Sequence, residues 1–230
     1  MLSGEASFLP QPVGRPAVNL LPPAERRRCA PSVAWALAVA QEAVTNSGVS
    51  AEDFAVVFVS SDGDGDIVHR LCSALATPAA EVSPTDFHNS VHNAATGYWS
   101  IGAHSSAPST ALCAYDSSFA AGLLEAACQI ATEGRRVLLV AVDLPYPPPL
   151  AVHRPVQHGF ATALALEPGL GLEISVESNS SATPLPPAFE SFEGNAAAAC
   201  LPLLAALARP GGALIRLAMG DRALEVRKSA

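Results

Sequence analysis

The stretch STALCAYDSSFAAGLLEAACQIATEGRRVLLVAV, running from Ser109 to Val142, decides the fold. Ser109, Thr110, Ala111, Leu112 and Cys113 read as a short strand. Asp116 then opens a strongly apolar helix that extends through Ala131, and Glu133-Gly134 closes it. Val137 to Val142 follows as an unbroken apolar run rich in β-branched residues, the pattern of a strand covered on both faces.

Upstream, Phe54 to Ser60 is a second such run, and residues 31–46 carry a helical pattern that stops at Asn46-Ser47-Gly48. A Gly/Asp loop at 60–66 leads into a helix near 67–75. A Pro/Ser/Asn-rich connection over 77–93 leads into another near 94–101. Downstream, 160–167 and 172–176 alternate and abut through Pro168-Gly169, which predicts an antiparallel pair. A Ser/Pro loop (178–190), a helix near 195–208 and strand-like runs at 213–217 and 223–227 complete the chain. Helices alternating with buried strands predict an α/β layered domain, a mixed sheet flanked by helices, over 31–230. Residues 1–30 form an irregular N-terminal segment, apart from a short strand near Phe8.

The chain has 230 residues, half of them apolar, and a net charge of −8. That size supports one core without staples, and the acidic balance argues against nucleic acid as a partner. The one basic run, Arg26-Arg27-Arg28, reads as a solvated helix face. The longest uncharged apolar stretch, 196–208, holds Pro202 and falls short of the roughly 20 residues a membrane-spanning helix needs. A large partner interface is one outlet for the surplus apolarity. No basic segment followed by an apolar one opens the chain, so no signal peptide is expected. Cys29, Cys72, Cys113, Cys128 and Cys200 are odd in number and lack metal-ligand spacing, which predicts a reduced, cytoplasmic chain with buried thiols.

Asp62-Gly-Asp-Gly-Asp66 mimics the first half of a calcium loop. Ile67 and Ser73 stand where such a loop needs Gly and Glu, so the acids are expected to cap the next helix. His88 and His92 are spaced to share a helix face, without a third ligand at motif spacing. They and His69, His104, His153 and His158 read as loop or surface histidines. No metal site and no cofactor are expected. Asp116 sits at the strand-to-helix turn, where a cysteine or serine nucleophile is often presented; its plain role is N-cap of a helix beginning at Ser117.

From Gly97 onward the landmarks resemble the β-ketoacyl synthases of fatty-acid and polyketide assembly, which have the thiolase fold. Gly97 and Pro108 precede the strand, a helix of small residues follows, and Glu133-Gly134 leads into 137–142. His158-Gly159-Phe160 then precedes the strand ending at Glu167, and the helix ending in Ser47-Gly48 matches an early helix. The likeness covers about residues 30–170 and implies the N-terminal half of a thiolase fold. Anchored on Gly97 and Pro108, the family's active-site cysteine falls at Asp116. Cys113 lies three residues earlier and is expected to be packed inside the strand.

The family's catalytic histidines lie in its second half. No histidine follows His158, and the chain is about half the length the landmarks lead one to expect. The resemblance therefore implies a non-catalytic subunit, similar to chain length factors and to short ketosynthase-like proteins of aryl polyene pathways. Such a subunit pairs with an active full-length β-ketoacyl synthase as a heterodimer and shapes its acyl tunnel. Ser109 to Cys113 would be the interface strand, with Tyr98, Trp99 and Phe119 at the interface or tunnel wall, or simply in the core. An acyl carrier protein is a further partner, met by Arg26 to Arg28. The alternative readings are a small acyl-transferring or hydrolytic enzyme using Cys113 with His92 or His104, and a structural homodimer or carrier-docking module.

Overall fold

Two strands, β1 (Phe54–Ser60) and β3 (Arg136–Asp143), form the centre of the molecule, and alternate residues along each feed two separate cores. On one face Phe54, Val56 and Phe58 of β1 join Leu138, Val140 and Val142 of β3. On the other, Ala55, Val57 and Val59 join Val137, Leu139 and Ala141. A strand that is apolar at every position has no solvent face to offer, so it must lie between two layers. The computed structural model describes residues 2, 8, 13–169, 171–178 and 181–230.

The first core is covered by α2 (Pro31–Ser47) and α5 (Ala94–Ala103). Pro31 starts α2 at a position where the missing N–H costs nothing, and Gly48 ends it in the left-handed conformation. The second core is covered by α6 (Ser118–Glu133), ended by left-handed Gly134, and by α8 (Leu201–Leu207). Gly122 lets α6 approach the sheet. A methyl group there would collide with Val59 Cγ1 and stand 3.1 Å from Leu139 Cδ1.

The four-stranded sheet has the order β2-β1-β3-β4, with β2 at Ser109–Cys113 and β4 at Phe160–Leu166. β1 runs parallel to both β2 and β3, while β4 is antiparallel to β3. A second, antiparallel sheet, β5-β7-β6, places Ile215, Leu217, Leu224 and Val226 in the α6 core; its strands are β5 (Leu172–Ser178), β6 (Ala213–Met219) and β7 (Arg222–Lys228). This is the mixed-sheet α/β layering expected.

Local readings fail where partners are distant. The expected pairing of 160–167 with 172–176 does not form: β4 lies on β3 and β5 on β7. Two alternating runs around Pro-Gly resemble a hairpin locally, but each strand finds its apolar neighbour in a different sheet. The 77–93 connection contains a short helix α4 (Pro84–Asn89), capped by Ser83 Oγ accepting from Asp86 N at 3.2 Å. Near 195–208, Pro202 divides the expected helix into a 3-10 turn (Ala197–Cys200) and α8.

The first thirty residues are not irregular throughout. Pro23–Arg28 forms a short helix α1, and Val18 and Leu21 are buried in the α2 core. Arg28 pairs with Glu25 across one turn of α1. Apart from Phe8, whose ring lies 5.0 Å from that of Phe189, residues flanking the expected first strand lie outside those described. Three of the five thiols expected to be buried (Cys72, Cys113, Cys128) are exposed, because the helices and edge strand that carry them turn them away from both cores.

The end of β3 is a polar junction inside the protein. Asp143 Oδ1 accepts from Ser61 N at 2.8 Å and Ser61 Oγ at 2.6 Å, and its Oδ2 accepts from Ala197 N at 2.9 Å. Asn195 Nδ2 donates to Asp143 O at 3.1 Å and to His158 O at 3.0 Å. Burial pushes the Asp143 carboxyl above the ordinary carboxylate range, and the bonds from Ser61 and Ala197 pull it part of the way back.

Gly122→Ala forces the α6–sheet contact apart and lowers stability by about 1–3 kcal/mol in urea denaturation. Gly97→Ala, within α5 where an added methyl meets nothing within 4 Å, raises it by roughly 0.5–1 kcal/mol. Asp143→Ala strands its donors and costs about 3–5 kcal/mol. The folded chain binds the Asp143 proton at higher pH than the unfolded chain does. Its contribution therefore favours folding most below the ordinary carboxylate range and declines as pH rises through the raised value. Wild type should gain stability relative to Asp143→Asn on going from about pH 7 to pH 4, and a flat difference contradicts the assignment.

Candidate functional site

The turn between β2 and α6 is a strained backbone corner. Tyr115 has φ +53, a left-handed conformation that a bulky residue adopts only when its surroundings impose it. Tyr115 N donates to Ser61 O at 3.1 Å. Ser118 Oγ accepts from Ala114 N at 2.9 Å and lies 2.7 Å from both Ser60 O and Tyr115 O. Ser117 Oγ accepts from Gly220 N at 2.9 Å, tying the turn to the β6–β7 hairpin.

Asp116 does not cap a helix beginning at Ser117. A 3-10 turn (Tyr115–Ser117) precedes α6, which starts at Ser118. The Asp116 carboxylate instead faces Arg154, with Oδ1 2.8 Å from Nη2. The Arg154 guanidinium also stacks over the Tyr115 ring, 3.7 Å from its centroid, and lies 5.7 Å from that of Tyr146. Burial works against its charge, but Tyr115, Tyr146 and Asp116 outweigh that and raise its pKa. The pair with Asp116 is close without hydrogen-bond alignment, and among the described residues Arg154 Nε and Nη2 have no hydrogen-bond acceptor.

Tyr146 connects this cluster to the β3 junction. Its hydroxyl donates to Asp62 Oδ1 at 2.7 Å and lies 2.9 Å from Ser61 Oγ, and burial foremost pushes its pKa up to about 12. A continuous path thus runs from Asp143 through Ser61 and Tyr146 to Arg154, Tyr115 and Asp116. Arg154, Tyr146, Ser61 and Asp143 were not among the residues singled out from sequence. Asp143 left one readable sign, a carboxylate ending an otherwise apolar strand. Arg154 left none, being far along the chain from its partners.

Cys113 is exposed rather than packed, because β2 ends there at the edge of the sheet. Its Sγ lies 3.5 Å from Ser60 Oγ, and among the described residues no histidine hydrogen-bonds it. His104 instead forms the left-handed end of α5, and His92 lines a cleft with Ser60 and Asn89. His88 stacks edge-on against Tyr98, 5.9 Å between centroids. Asp64 Oδ1 caps α3 (Gly65–Ala76) through Ile67 N at 3.1 Å, and its Oδ2 accepts from Ser32 Oγ at 2.6 Å. Among the described residues no group of three or more His, Cys, Asp or Glu side chains could hold a metal ion.

Tyr98, Trp99 and Phe119, named as interface or tunnel-wall residues, are 2%, 3% and 0% exposed. α5 and α6 turn them onto the central sheet, where they fill the chain's own cores; Trp99, for instance, packs against Phe58. The accessible candidate surface is β2 itself. Ser109 and Cys113 are exposed, Thr110, Ala111 and Leu112 are half-buried, and among the described residues β1 is its only neighbour in the sheet. Gln129 Nε2 donates to Thr110 Oγ1 at 3.2 Å from the α6 side. Among the described residues no helix is long and apolar enough to cross a membrane.

No curated protein sequence matches this chain. Among solved structures, a ketosynthase (ApeO) in complex with its chain length factor (ApeC) from Xenorhabdus doucetiae is similar over 96% of this chain and 89% of that one, with 23% identity and a TM-score of 0.73. The ishigamide ketosynthase/chain length factor aligns with 90% of this chain and 83% of its own, at 15% identity and TM-score 0.64. A β-ketoacyl synthase from Burkholderia phymatum STM815 aligns with 86% of this chain but 57% of its own, at 15% identity and TM-score 0.56. The expected half-length relation therefore fits the last of these and not the other two. At these identities the likeness is one of fold, a thiolase-like α/β fold. Residues 3–215 match the family described as "Beta-ketoacyl synthase, N-terminal domain", and the chain belongs to that family.

Proposed function

We propose that this chain is a non-catalytic ketosynthase-like subunit. In this reading it pairs through the β2 edge with an active β-ketoacyl synthase and shapes that enzyme's acyl tunnel, in fatty-acid or polyketide-type biosynthesis of the aryl polyene kind. The chain length factor complexes among its structural relatives favour this partner. The observation that carries the proposal is the content of the strand-to-helix turn. Acyl transfer through a covalent intermediate needs a nucleophile there, with a base in reach. The turn holds Tyr115 and Asp116 engaged by Arg154, and the nearest thiol, Cys113, has Ser60 rather than a histidine beside it.

The β2 edge supplies the means of pairing. Val56 N donates to Pro108 O at 2.9 Å, so alternate residues 108, 110 and 112 direct their backbone groups to β1. Ser109, Ala111 and Cys113 direct theirs outward, where another strand can take them up. Burial of that edge and its half-buried side chains is an outlet for the chain's high apolar content.

Co-expression with a full-length ketosynthase carrying Cys and both His should give a heterodimer that co-purifies. Product chain length should then change with the identity of this subunit; failure of both sinks the proposal. Ala111→Pro removes one outward N–H from an edge position that tolerates proline. It should leave the isolated fold intact and abolish the heterodimer. Incubation with an acyl thioester should leave no acyl adduct on Cys113 by mass spectrometry; a stable adduct would favour an enzyme acting through that thiol.

A further inference from the structure

We propose that the crevice at the carboxyl ends of β1 and β3 is a binding site for a primary ammonium group, independent of any pairing at β2. β1 runs parallel to both β2 and β3, and the segments that leave β1 and β2 turn to opposite faces of the sheet. α3 packs on the α2 face through Ile67 and Leu71, and α6 on the other through Phe119 and Leu123. Open α/β sheets take ligands in the crevice outside the strand ends at such a switch point. Here the crevice has a volume of about 30 Å³ and carries the polar residues Ser32, Ser60, Asp64, Asn89 and His92. Val33, Phe58 and Val142 form its apolar wall. That is room for a group the size of a water molecule or an ammonium, and not for a large head group.

The crevice is short of donors. Asn89 is 4% exposed, and its Nδ2 donates to Arg28 O at 2.9 Å and to Thr85 O at 2.8 Å. Those two carbonyls fix the orientation of the amide, because turning it over would set oxygen against oxygen. Neither Arg28 nor Thr85 lines the crevice, and among the described residues Asn89 Oδ1 is buried without a hydrogen-bond partner. The Tyr98 hydroxyl, also buried, interacts with Asn89 but makes no hydrogen bond of ordinary geometry to it. A buried acceptor without a donor is costly, and an incoming N–H removes that cost. Asp64 adds the charge. Its oxygens accept from Ile67 N and Ser32 Oγ, which leaves carboxylate lone pairs to spare. Among the described residues no Lys or Arg lines the crevice. A lone acceptor beside a carboxylate matches a ligand group with several N–H donors and a positive charge. A carboxylate or phosphate would be repelled by Asp64, and an apolar group would leave Asn89 Oδ1 unanswered.

The test titrates the full chain with methylammonium at constant ionic strength and follows backbone amide shifts by two-dimensional NMR. Saturable shifts are expected at residues 63–64 and 89–95. Tetramethylammonium, which carries the same charge without an N–H, should produce none. Asp64→Asn keeps an oxygen for the α3 cap and should weaken methylammonium binding by about 10-fold or more. Should that variant fail to fold, Ala95→Val carries the test: it adds two methyl groups to the lining, leaves Asp64 in place and should abolish the shifts. Tyr98→Phe should bind as wild type; a gain in affinity means that its hydroxyl held Asn89 Oδ1, and the assignment is overturned. A lysine side chain of another protein is a second source of the same group. Tighter binding of Nα-acetyl-lysine amide than of methylammonium assigns the site to a protein partner, weaker binding assigns it to a free amine, and both uphold an ammonium site. Equal shifts with tetramethylammonium, or undiminished binding in both Asp64→Asn and Ala95→Val, overturn it.

Discussion

The buried carboxylate of Asp143 is the constraint on which the functional end of the molecule depends. A charged side chain is costly in an interior unless hydrogen bonds replace its water, and here three donors from two other segments do so. One donor segment follows β1 and the other leads into α8. The carboxylate therefore holds the end of β3, the loop after β1 and the 195–200 turn in one arrangement. Ser61, fixed in this way, offers its carbonyl to Tyr115 N and its hydroxyl to Tyr146. The strained turn after β2 is built on that foundation together with the Ser118 hydroxyl at the start of α6.

The sheet ends differently at its two sides, and this shapes what the chain can do. Among the described residues both end strands have one neighbour in the sheet: β4 is antiparallel to β3 and packed on α2, whereas β2 is short and parallel to β1. Open edges are an aggregation liability, and proteins usually blunt them with charge, proline or a bulge. β2 carries none of these: it is Ser-Thr-Ala-Leu-Cys, short and without charge, with Pro108 just before it. An unprotected edge of small residues suits a specific neighbour better than bulk water.

The layers were legible in the sequence because they follow from local pattern. β1 and β3 are apolar throughout 54–59 and 137–142, α2 and α6 carry glycine stops at Gly48 and Gly134, and Asp64 caps the helix expected after the acidic loop. The rest depended on contacts between distant residues. Nothing near Pro168-Gly169 reveals that β4 belongs to β3 and β5 to β7. Cys113 looked packed because a strand of uncharged residues reads as interior, whereas exposure depends on whether another strand lies beyond it. Asp116 looked like a helix cap because caps are a short-range pattern, and its true partner, Arg154, lies in the proline-rich segment after β3.

That change of partner alters the chemistry of the turn. A carboxylate capping a helix would leave the space in front of the corner empty and open to substrate. A carboxylate paired with Arg154 brings the guanidinium across the corner, and the Tyr115 ring is drawn beneath it. The residue with the left-handed backbone, the one a strand-to-helix corner holds outward, is Tyr115, one position before Asp116. Among the described residues no base is hydrogen-bonded to this phenol, whose ring face is covered by a cation. The same corner that would serve a nucleophile by holding it rigid and exposed here holds a tyrosine rigid and exposed.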